Sequence, residues 1–310
     1  MELLNKRLHE RLLEKKRKLE THRPLSSEAL AKLREQFAIE YTYHTNVIEG
    51  NTLTLRETQL VIQEGITVKG KPLRHHLEAI NHPKAIEFIE HLAKEASIRE
   101  QDILYLHGVA MKGIAEAEPG AYRRVQIAIT GSRYMPPPPY EVPFLMADYV
   151  KWLKNNPEEL RPVELAALAH FRLVHIHPFV DGNGRVARLL MNLLLLRYGY
   201  PITYVRREER GRYYDALERA HFGNQKPFVN FIGRCVEQSL DLYLAAIEPT
   251  TPNTALIPLS EAAKGTPFTV EYWGLLARKG RIDAVKLGGR WHVKRETLHR
   301  YLEEVGRSNA

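Results

Sequence analysis

The stretch that decides the fold reads His-Pro-Phe-Val-Asp-Gly-Asn-Gly-Arg-Val-Ala-Arg and occupies residues 177–188. Helical periodicity precedes it from Pro162 to about Ile176 and returns from Arg185 to Tyr198, which predicts a loop between two helices. Its two glycines, Gly182 and Gly184, let the backbone approach a ligand closely, and the free N–H groups at the start of the second helix point into the same space. The sequence therefore indicates a site for an anion such as phosphate.

The side chains of this loop suit phosphate chemistry. His177 supplies a group that accepts a proton near neutral pH. Asp181 is placed to hold Mg²⁺ against phosphate oxygens, because this dication takes few protein carboxylates and leaves its other positions to water and ligand. Arg185 and Arg188 share one face of the second helix's first turn, where the macrodipole disfavours cations unless an anion neutralises them. We therefore expect a polyphosphate to bind here.

Two other interpretations of this region are open from the residues alone. An Asp-Gly-Asn-Gly sequence by itself is more often a turn than a site, although its combination with the histidine and the arginines favours a site. A zinc site formed by His170, His175 and His177 is conceivable, but no i, i+4 pair and no acidic residue completes a recognised pattern. A complete Gly-x-x-x-x-Gly-Lys-(Ser/Thr) phosphate loop and a kinase signature set are both absent from the sequence, so the familiar ATP-binding folds are not supported.

Residues 177–188 match every fixed position of the motif His-x-Phe-x-(Asp/Glu)-Gly-Asn-Gly-Arg-x-x-Arg, and in this the sequence resembles the Fic family. The resemblance implies an all-helical core that moves AMP from ATP to a Ser, Thr or Tyr hydroxyl of a target protein. It implies that His177 is the catalytic base, that Asp181 binds Mg²⁺ and that ATP is the co-substrate. By the same resemblance, the nucleotide would be bound by Ile129, Thr130, Gly131, Ser132, Asp181, Gly182, Asn183, Gly184, Arg185, Val186, Ala187, Arg188, Tyr213, Tyr214 and His221.

A second motif lies upstream and reads Thr45-Asn-Val-Ile-Glu49-Gly. A Thr and a Glu at this spacing are commonly an ordinary solvated helix face. Beside the first motif, however, they resemble the Fic inhibitory motif (Ser/Thr)-x-x-x-Glu-(Gly/Asn), in the arrangement where the inhibitory helix precedes the core. The resemblance implies that Glu49 binds Arg188 and denies ATP its γ-phosphate partner, since one arginine cannot serve two anions in one geometry. Similar enzymes also remove AMP, with the same glutamate orienting water.

Periodicity and turn signals predict a mainly α chain. We expect an N-terminal helical region with the inhibitory helix over residues 1–100, a Fic catalytic core over residues 101–248 and a linker over residues 249–260. A β-branched run from Val125 to Thr130, followed by four consecutive prolines, predicts a strand or β-hairpin flap beside the site.

Residues 261–310 hold ten Lys and Arg against six Asp and Glu. The predicted order of helix, turn, helix, hairpin and helix resembles an excisionase-type winged helix-turn-helix domain. Tyr272, Arg278 and Lys279 fall on its second helix, and Lys286 and Arg290 flank the wing, which favours DNA as a partner. Small winged helices also serve as protein docking modules, so selection of the target protein is the alternative.

Composition limits the remaining classes. The 310 residues carry a formal net charge of +8 and one cysteine, and the sequence shows neither a signal peptide nor a bilayer span, which favours a cytoplasmic protein without a membrane partner. Expected partners are the target protein, DNA through residues 261–310 and a second copy of the chain. The main hypothesis is an autoinhibited adenylyltransferase, and the alternative is a DNA-binding regulator whose Fic core senses nucleotide with little catalysis.

Overall fold

The computed structural model describes residues 2–21, 27–114, 118–247, 256–287, 289–295, 297–298 and 301–302. The chain divides into two compact units, one formed by residues 1–17 and 26–240 and the other by residues 18–25 and 241–310. The helices of the first unit, of which the first and last extend past its limits, are α1 (Lys6–Thr21), α2 (Ser27–Ile48), α3 (Leu55–Glu64), α4 (Leu73–Leu92), α5 (Glu100–Ala110), α6 (Val142–Asn155), α7 (Pro162–Ile176), α8 (Asn183–Arg197), α9 (Arg210–His221) and α10 (Lys226–Ile247). No helix among the described residues combines the length and the apolar character that a bilayer span requires.

Helices α7 and α8 form the centre of the first unit. Nearly every position of both is buried, which explains why their apolar residues run round the helix instead of forming one stripe. Within the apolar run of α8, the fully buried Asn192 donates to the carbonyl oxygens of Arg188 and Thr203 and accepts from the Thr203 N–H. A polar side chain in the core is tolerated because its hydrogen bonds are made.

The turn between α2 and α3 carries the second sequence motif. Helix α2 ends at Ile48, and Gly50 follows with φ of 97°, a conformation that favours glycine. The spacing of Thr54 and Glu57 in the sequence predicts a capping box, and the structure confirms it: Thr54 Oγ1 accepts from Glu57 N at 3.2 Å and Glu57 Oε2 accepts from Thr54 N at 2.7 Å. The capping box thereby fixes the start of α3, shortly after the end of α2.

The predicted strand over Val125–Thr130 is wrong, since this segment forms no strand and pairs with none among the described residues. The proline run has no N–H groups to donate to a ladder. Side chains satisfy the carbonyls instead: Gln126 Nε2 donates to Pro136 O at 3.0 Å, and Arg123 donates to the carbonyl oxygens of Val125 and Pro137. The flap is therefore an irregular loop held by side chains.

The second unit contains β1 (Ile257–Pro258), α11 (Leu259–Ala262), α12 (Val270–Arg278), β2 (Ala284–Leu287) and β3 (Arg290–Val293). The two predicted strands pair antiparallel, and β1, which the sequence did not predict, adds to β3 to give the order β1-β3-β2. Trp273 is buried at the centre of the apolar cluster and donates through Nε1 to Thr266 Oγ1 at 2.8 Å. The described residues leave out most of the predicted linker, Gly288 and parts of the last predicted helix.

Candidate active site

The loop at residues 177–182 joins the two central helices. Gly182 in this loop and Gly184 in the first turn of α8 are needed for different reasons. Gly182 has φ of 84°, and a Cβ there would meet Met111 Sδ at 2.7 Å. Gly184 has ordinary helical geometry, but a Cβ there would collide with the Glu49 carboxylate. One glycine therefore shapes the turn, and the other leaves room for an anion against the first turn of α8.

His177 follows the last residue of α7 in the left-handed region, with φ of 52°. Its Nδ1 lies 3.1 Å from the carbonyl oxygen of Val174, which can only accept, so Nδ1 carries the proton. The other ring nitrogen, Nε2, is thereby left in the form that accepts a proton. Burial, together with the charge of Arg123, lowers the pKa of His177 below its ordinary value, which keeps the ring neutral at pH 7.

Two side chains hold the backbone of this loop. Asn183 is buried and bonds both backbone groups of Phe179, donating to O at 2.8 Å and accepting from N at 2.9 Å. Its side chain is therefore turned into the loop. His107, which sequence reasoning missed, stacks on Phe179 at 3.8 Å between centroids. Because its Nδ1 accepts from Gly120 N, its Nε2 donates to the Asp181 carbonyl at 3.0 Å.

Arg188 joins the two sequence motifs. Its Nη2 lies 2.6 Å from Glu49 Oε1, its Nε donates to Thr45 Oγ1 at 2.7 Å, and its Nη1 lies 3.3 Å from Tyr213 OH. The guanidinium is 1% exposed, whereas Glu49 is 29% exposed. Burial alone would lower the pKa of Arg188, but the Glu49 carboxylate raises it above its ordinary value. Arg188 therefore contacts both Thr45 and Glu49, the two residues of the second motif.

Asp181 and Arg185 belong to a cluster of four charges with two residues of α4. Arg185 is 2% exposed and donates to Glu78 Oε1 at 2.9 Å and to Asp181 Oδ1 at 3.2 Å. Arg74 donates to Glu78 Oε1 at 3.1 Å and also to Asp181 Oδ2. Burial alone would raise the pKa of Asp181, but Arg185 and Arg74 lower it below its ordinary value. Sequence reasoning missed Arg74 and Glu78, which lie about a hundred residues away.

The donor set around Asp181 fits a divalent cation only if other ligands come from outside the protein. Asp181 offers one carboxylate, and the described residues contain no group of three His, Cys, Asp or Glu that could hold a metal ion. A hard dication such as Mg²⁺ keeps several waters and binds through one or two carboxylates plus substrate phosphates. His170, His175 and His177 each have a different partner, so the described residues do not assemble them into the zinc site considered above.

The flap residues lie on α9. Ile129 to Ser132 form a turn closed by Ser132 N to Ile129 O at 3.1 Å, with Gly131 at φ of 81° and Thr130 exposed. Glu218 of α9 accepts from Ser132 Oγ and, at 3.0 Å, from Arg133 N. The flap is thus anchored to α9 by one carboxylate.

The residues expected at the adenosine differ in accessibility. Tyr213 is 1% exposed, and its OH lies 2.9 Å from His170 Nε2. Tyr214 is 36% exposed, with Arg210 over its ring at 4.8 Å. His221 is bonded to His175, ring nitrogen to ring nitrogen at 3.0 Å, and Tyr134 stacks on it at 4.1 Å. Val186 and Ala187 are fully buried behind the loop.

These features define a helical protein with a glycine-containing loop at a helix start, a neutral histidine in that loop and a buried arginine held by an internal carboxylate. The model of the Fic/DOC family matches residues 97–195. A solved Fic domain containing signaling protein from Bacteroides thetaiotaomicron is 32% identical with a TM-score of 0.71, over 78% of this chain and 98% of that one. The chain therefore belongs to the Fic/DOC family.

Two further comparisons extend the likeness. A solved Fic family protein from Desulfovibrio desulfuricans is 25% identical with a TM-score of 0.67, over 93% of this chain and 94% of that one. The protein adenylyltransferase Fic of Drosophila ananassae is 41% identical over 223 residues, which are 71% of this chain and 44% of that protein. The chain thus spans less than half the length of this curated relative.

Arg123 connects the flap to the loop that begins at His177. Sequence reasoning missed this residue. Its guanidinium is 2% exposed and donates to the carbonyl oxygens of His177, at 2.8 Å, and of Val125 and Pro137. The sequence offers one signal only for this role: an arginine stands between Pro119-Gly120 and the β-branched run. Its three acceptors cannot be read from sequence.

Replacing Arg123 with glutamine should free the flap and destabilise the protein. Buried carbonyls without donors cost about 1–3 kcal/mol, so the free energy of unfolding should fall by that order. The measurement is urea unfolding together with limited proteolysis of residues 125–138. The exposed neighbour Arg124, changed to glutamine, is the control and should stay within about 0.5 kcal/mol of wild type. Equal stability of the two variants would contradict the assigned role of Arg123.

Proposed function

We propose that the chain is a protein adenylyltransferase that moves AMP from ATP to a Ser, Thr or Tyr hydroxyl of a target protein. The observation that carries the proposal is the protonation pattern of His177, whose Nε2 is available to take a proton beside the helix start that can receive phosphate. The name of the curated relatives, protein adenylyltransferase Fic, supports the same reaction.

In the proposed reaction the target hydroxyl oxygen attacks the α-phosphorus, and the bond from that phosphorus to the bridging oxygen of pyrophosphate breaks. His177 takes the hydroxyl proton, and the hydrogen bond from its Nδ1 to Val174 O keeps Nε2 directed to this task. The N–H groups of the first turn of α8 and the side chain of Arg188 hold phosphate oxygens. A divalent cation bound at Asp181 would neutralise phosphate charge.

We further propose that Glu49 inhibits this reaction. The carboxylate occupies Arg188 Nη2 at 2.6 Å and lies where a Cβ on Gly184 would be, so it takes both the cation and the space that a terminal phosphate needs. Thr45 completes the contact by accepting from Arg188 Nε. We also propose that the same carboxylate orients a water that attacks the phosphorus of the modified side chain, so that the bond from phosphorus to the side-chain oxygen breaks and AMP and the free hydroxyl are released.

The second unit supports a separate proposal, that of a winged helix-turn-helix module that binds DNA. Helix α12 buries Trp273 and leaves Tyr272, Arg278 and Lys279 exposed, and Arg290 at the start of β3 is exposed as well. A helix with an exposed cationic end beside a two-stranded wing suits phosphate and groove contacts. This observation keeps the regulator hypothesis as a second candidate function.

Replacing His177 with alanine should reduce AMP transfer by about 10²- to 10⁴-fold, because the general base is lost while the phosphate-binding groups stay. Radiolabelled ATP reports transfer, and calorimetry with a non-hydrolysable ATP analogue should show unchanged binding. The exposed His91 of α4, changed to alanine, is the control. Normal transfer by the His177 variant at saturating nucleotide would refute the proposed reaction.

The pH dependence of transfer should follow His177. Since burial lowers the pKa of His177, the ring stays neutral to lower pH than a free imidazole, and the rate should begin to fall only below the ordinary value of 6.5. As the pH falls through this pKa, protonation removes the base and the transfer rate decreases. On the alkaline side of this pKa the transfer rate is constant. A fall centred at or above that value would contradict the assignment.

Replacing Glu49 with glycine should increase self-AMPylation by at least about tenfold, since a freed Arg188 and an open first turn of α8 admit the terminal phosphates. Removal of AMP from a modified substrate should fall in the same variant. The exposed Glu64 near the end of α3, changed to glycine, is the control for the backbone effect. Unchanged transfer would refute inhibition by Glu49, and unchanged removal would refute the hydrolytic role.

DNA binding should weaken when Arg278 and Lys279 are both changed to glutamine. Each lost phosphate contact reduces the slope of log affinity against log salt by about 0.9, so the variant should bind more weakly and with less salt dependence. Fluorescence anisotropy of a labelled duplex measures both quantities. Lys264, exposed just after α11, is the matched control. Absence of duplex binding by the wild type at low salt would reject the module's assignment to DNA.

A further inference from the structure

The carboxylate of Asp181 has both oxygens engaged by donors. Its Oδ1 accepts from Gly182 N at 2.6 Å and from Arg185 Nη2 at 3.2 Å. Its Oδ2 accepts from Arg74 Nη2. A divalent cation bound to this carboxylate at Oδ2 would lie beside the Arg74 guanidinium, and repulsion between the two cations would favour displacement of the arginine.

The two arginines differ in their freedom to leave. Arg185 is 2% exposed and is held by the equally buried Glu78, so its guanidinium has no route to water. Arg74 is 40% exposed, and its flexible side chain can turn into solvent. It is also the second residue of α4, where the helix macrodipole disfavours a cation, and it precedes its i, i+4 partner Glu78, the weaker order for such a pair.

The net charge of this cluster also indicates that Arg74 is the residue that a bound cation would displace. Arg74 and Arg185 carry two positive charges, and Glu78 and Asp181 carry two negative charges, so the cluster is neutral. A dication added to this neutral cluster would leave it strongly positive beside Arg188, and release of Arg74 lowers that excess while phosphate oxygens supply the remaining negative charge. Arg74 thus fills the place of a cation when no metal is bound.

We propose that Arg74 competes with the divalent cation for Asp181 and thereby sets the metal affinity of the nucleotide site. The inference rests on the proposed function, because the metal enters with the nucleotide. When the metal binds, the Arg74 guanidinium leaves Asp181 Oδ2 and turns to solvent, whereas Arg185 keeps its bonds to Glu78 and to Asp181. Arg74 acts through Asp181 and is a positioning residue that touches neither the acceptor nor the leaving group.

The test is Mn²⁺ binding to the full chain in the presence of AMPPNP, followed by electron paramagnetic resonance of free Mn²⁺. Exposed ion pairs contribute modestly, so Arg74→Gln should tighten Mn²⁺ binding by about two- to fivefold, and added salt should shrink the difference. Arg99→Gln is the matched control, because Arg99 is also exposed and pairs with an aspartate, Asp102, at a helix start. Thermal unfolding of each variant verifies its fold.

A double variant, Arg74→Gln with Asp181→Asn, connects the effect to the carboxylate and should show no gain over Asp181→Asn alone. Equal Mn²⁺ affinity of wild type and Arg74→Gln would overturn the proposal while leaving adenylyl transfer unaffected. Weaker binding by Arg74→Gln would also overturn it, since Arg74 would then assist the metal. Failure of the wild type to bind Mn²⁺ with AMPPNP would remove both this inference and the metal in the proposed function.

Discussion

The buried guanidinium of Arg188 is the constraint on which the arrangement of the site depends. A cation without access to water has to be paired and hydrogen-bonded, and removal of its partner leaves a charge whose burial is costly. Arg188, from α8, meets this requirement with Thr45 and Glu49 from the end of α2 and with Tyr213 from α9. One charge therefore fixes three helix segments around the phosphate-binding end of α8.

The site uses the same physical device twice. In each case a buried charged residue is paired with a partly exposed one: Arg188 with Glu49, and Arg185, which Glu78 holds, with Asp181, whose carboxylate in turn pairs with the exposed Arg74. The buried member cannot leave, so it keeps the site preorganised, while the exposed member can be exchanged for a ligand of the same sign. On the two proposals above, Glu49 would fill the place of a phosphate and Arg74 that of a metal ion. A site built this way stays neutral when empty, and the stability of the fold does not require substrate.

Local signals predict part of this structure well. The loop between α7 and α8, the end of α2 near Gly50 and the capping box at Thr54 follow from periodicity, glycine and capping residues. The residues missed, Arg74, Glu78, His107 and Arg123, act through contacts with partners distant in sequence, and most of these partners are backbone carbonyls or buried acids. The strand prediction for the flap failed for the same reason, because β-branched residues favour a strand only where a partner strand can supply hydrogen bonds. The adenosine side and the domain limits stay predictions.

With the proposed inhibition by Glu49, Gly184 would make inhibition and catalysis difficult to separate within the loop itself. The Glu49 carboxylate lies where a side chain at residue 184 would begin, and phosphate oxygens would use the same opening against the N–H groups of α8. Any larger residue there would exclude the inhibitor and the substrate together. Changes to Arg188 have the same double effect, since both anions need its guanidinium. The two functions can be separated only from the side of α2, where Glu49 contributes a carboxylate that substrate binding does not require. On the proposal, a carboxylate placed just after α2 would be displaced by movement of that segment while the loop keeps its shape.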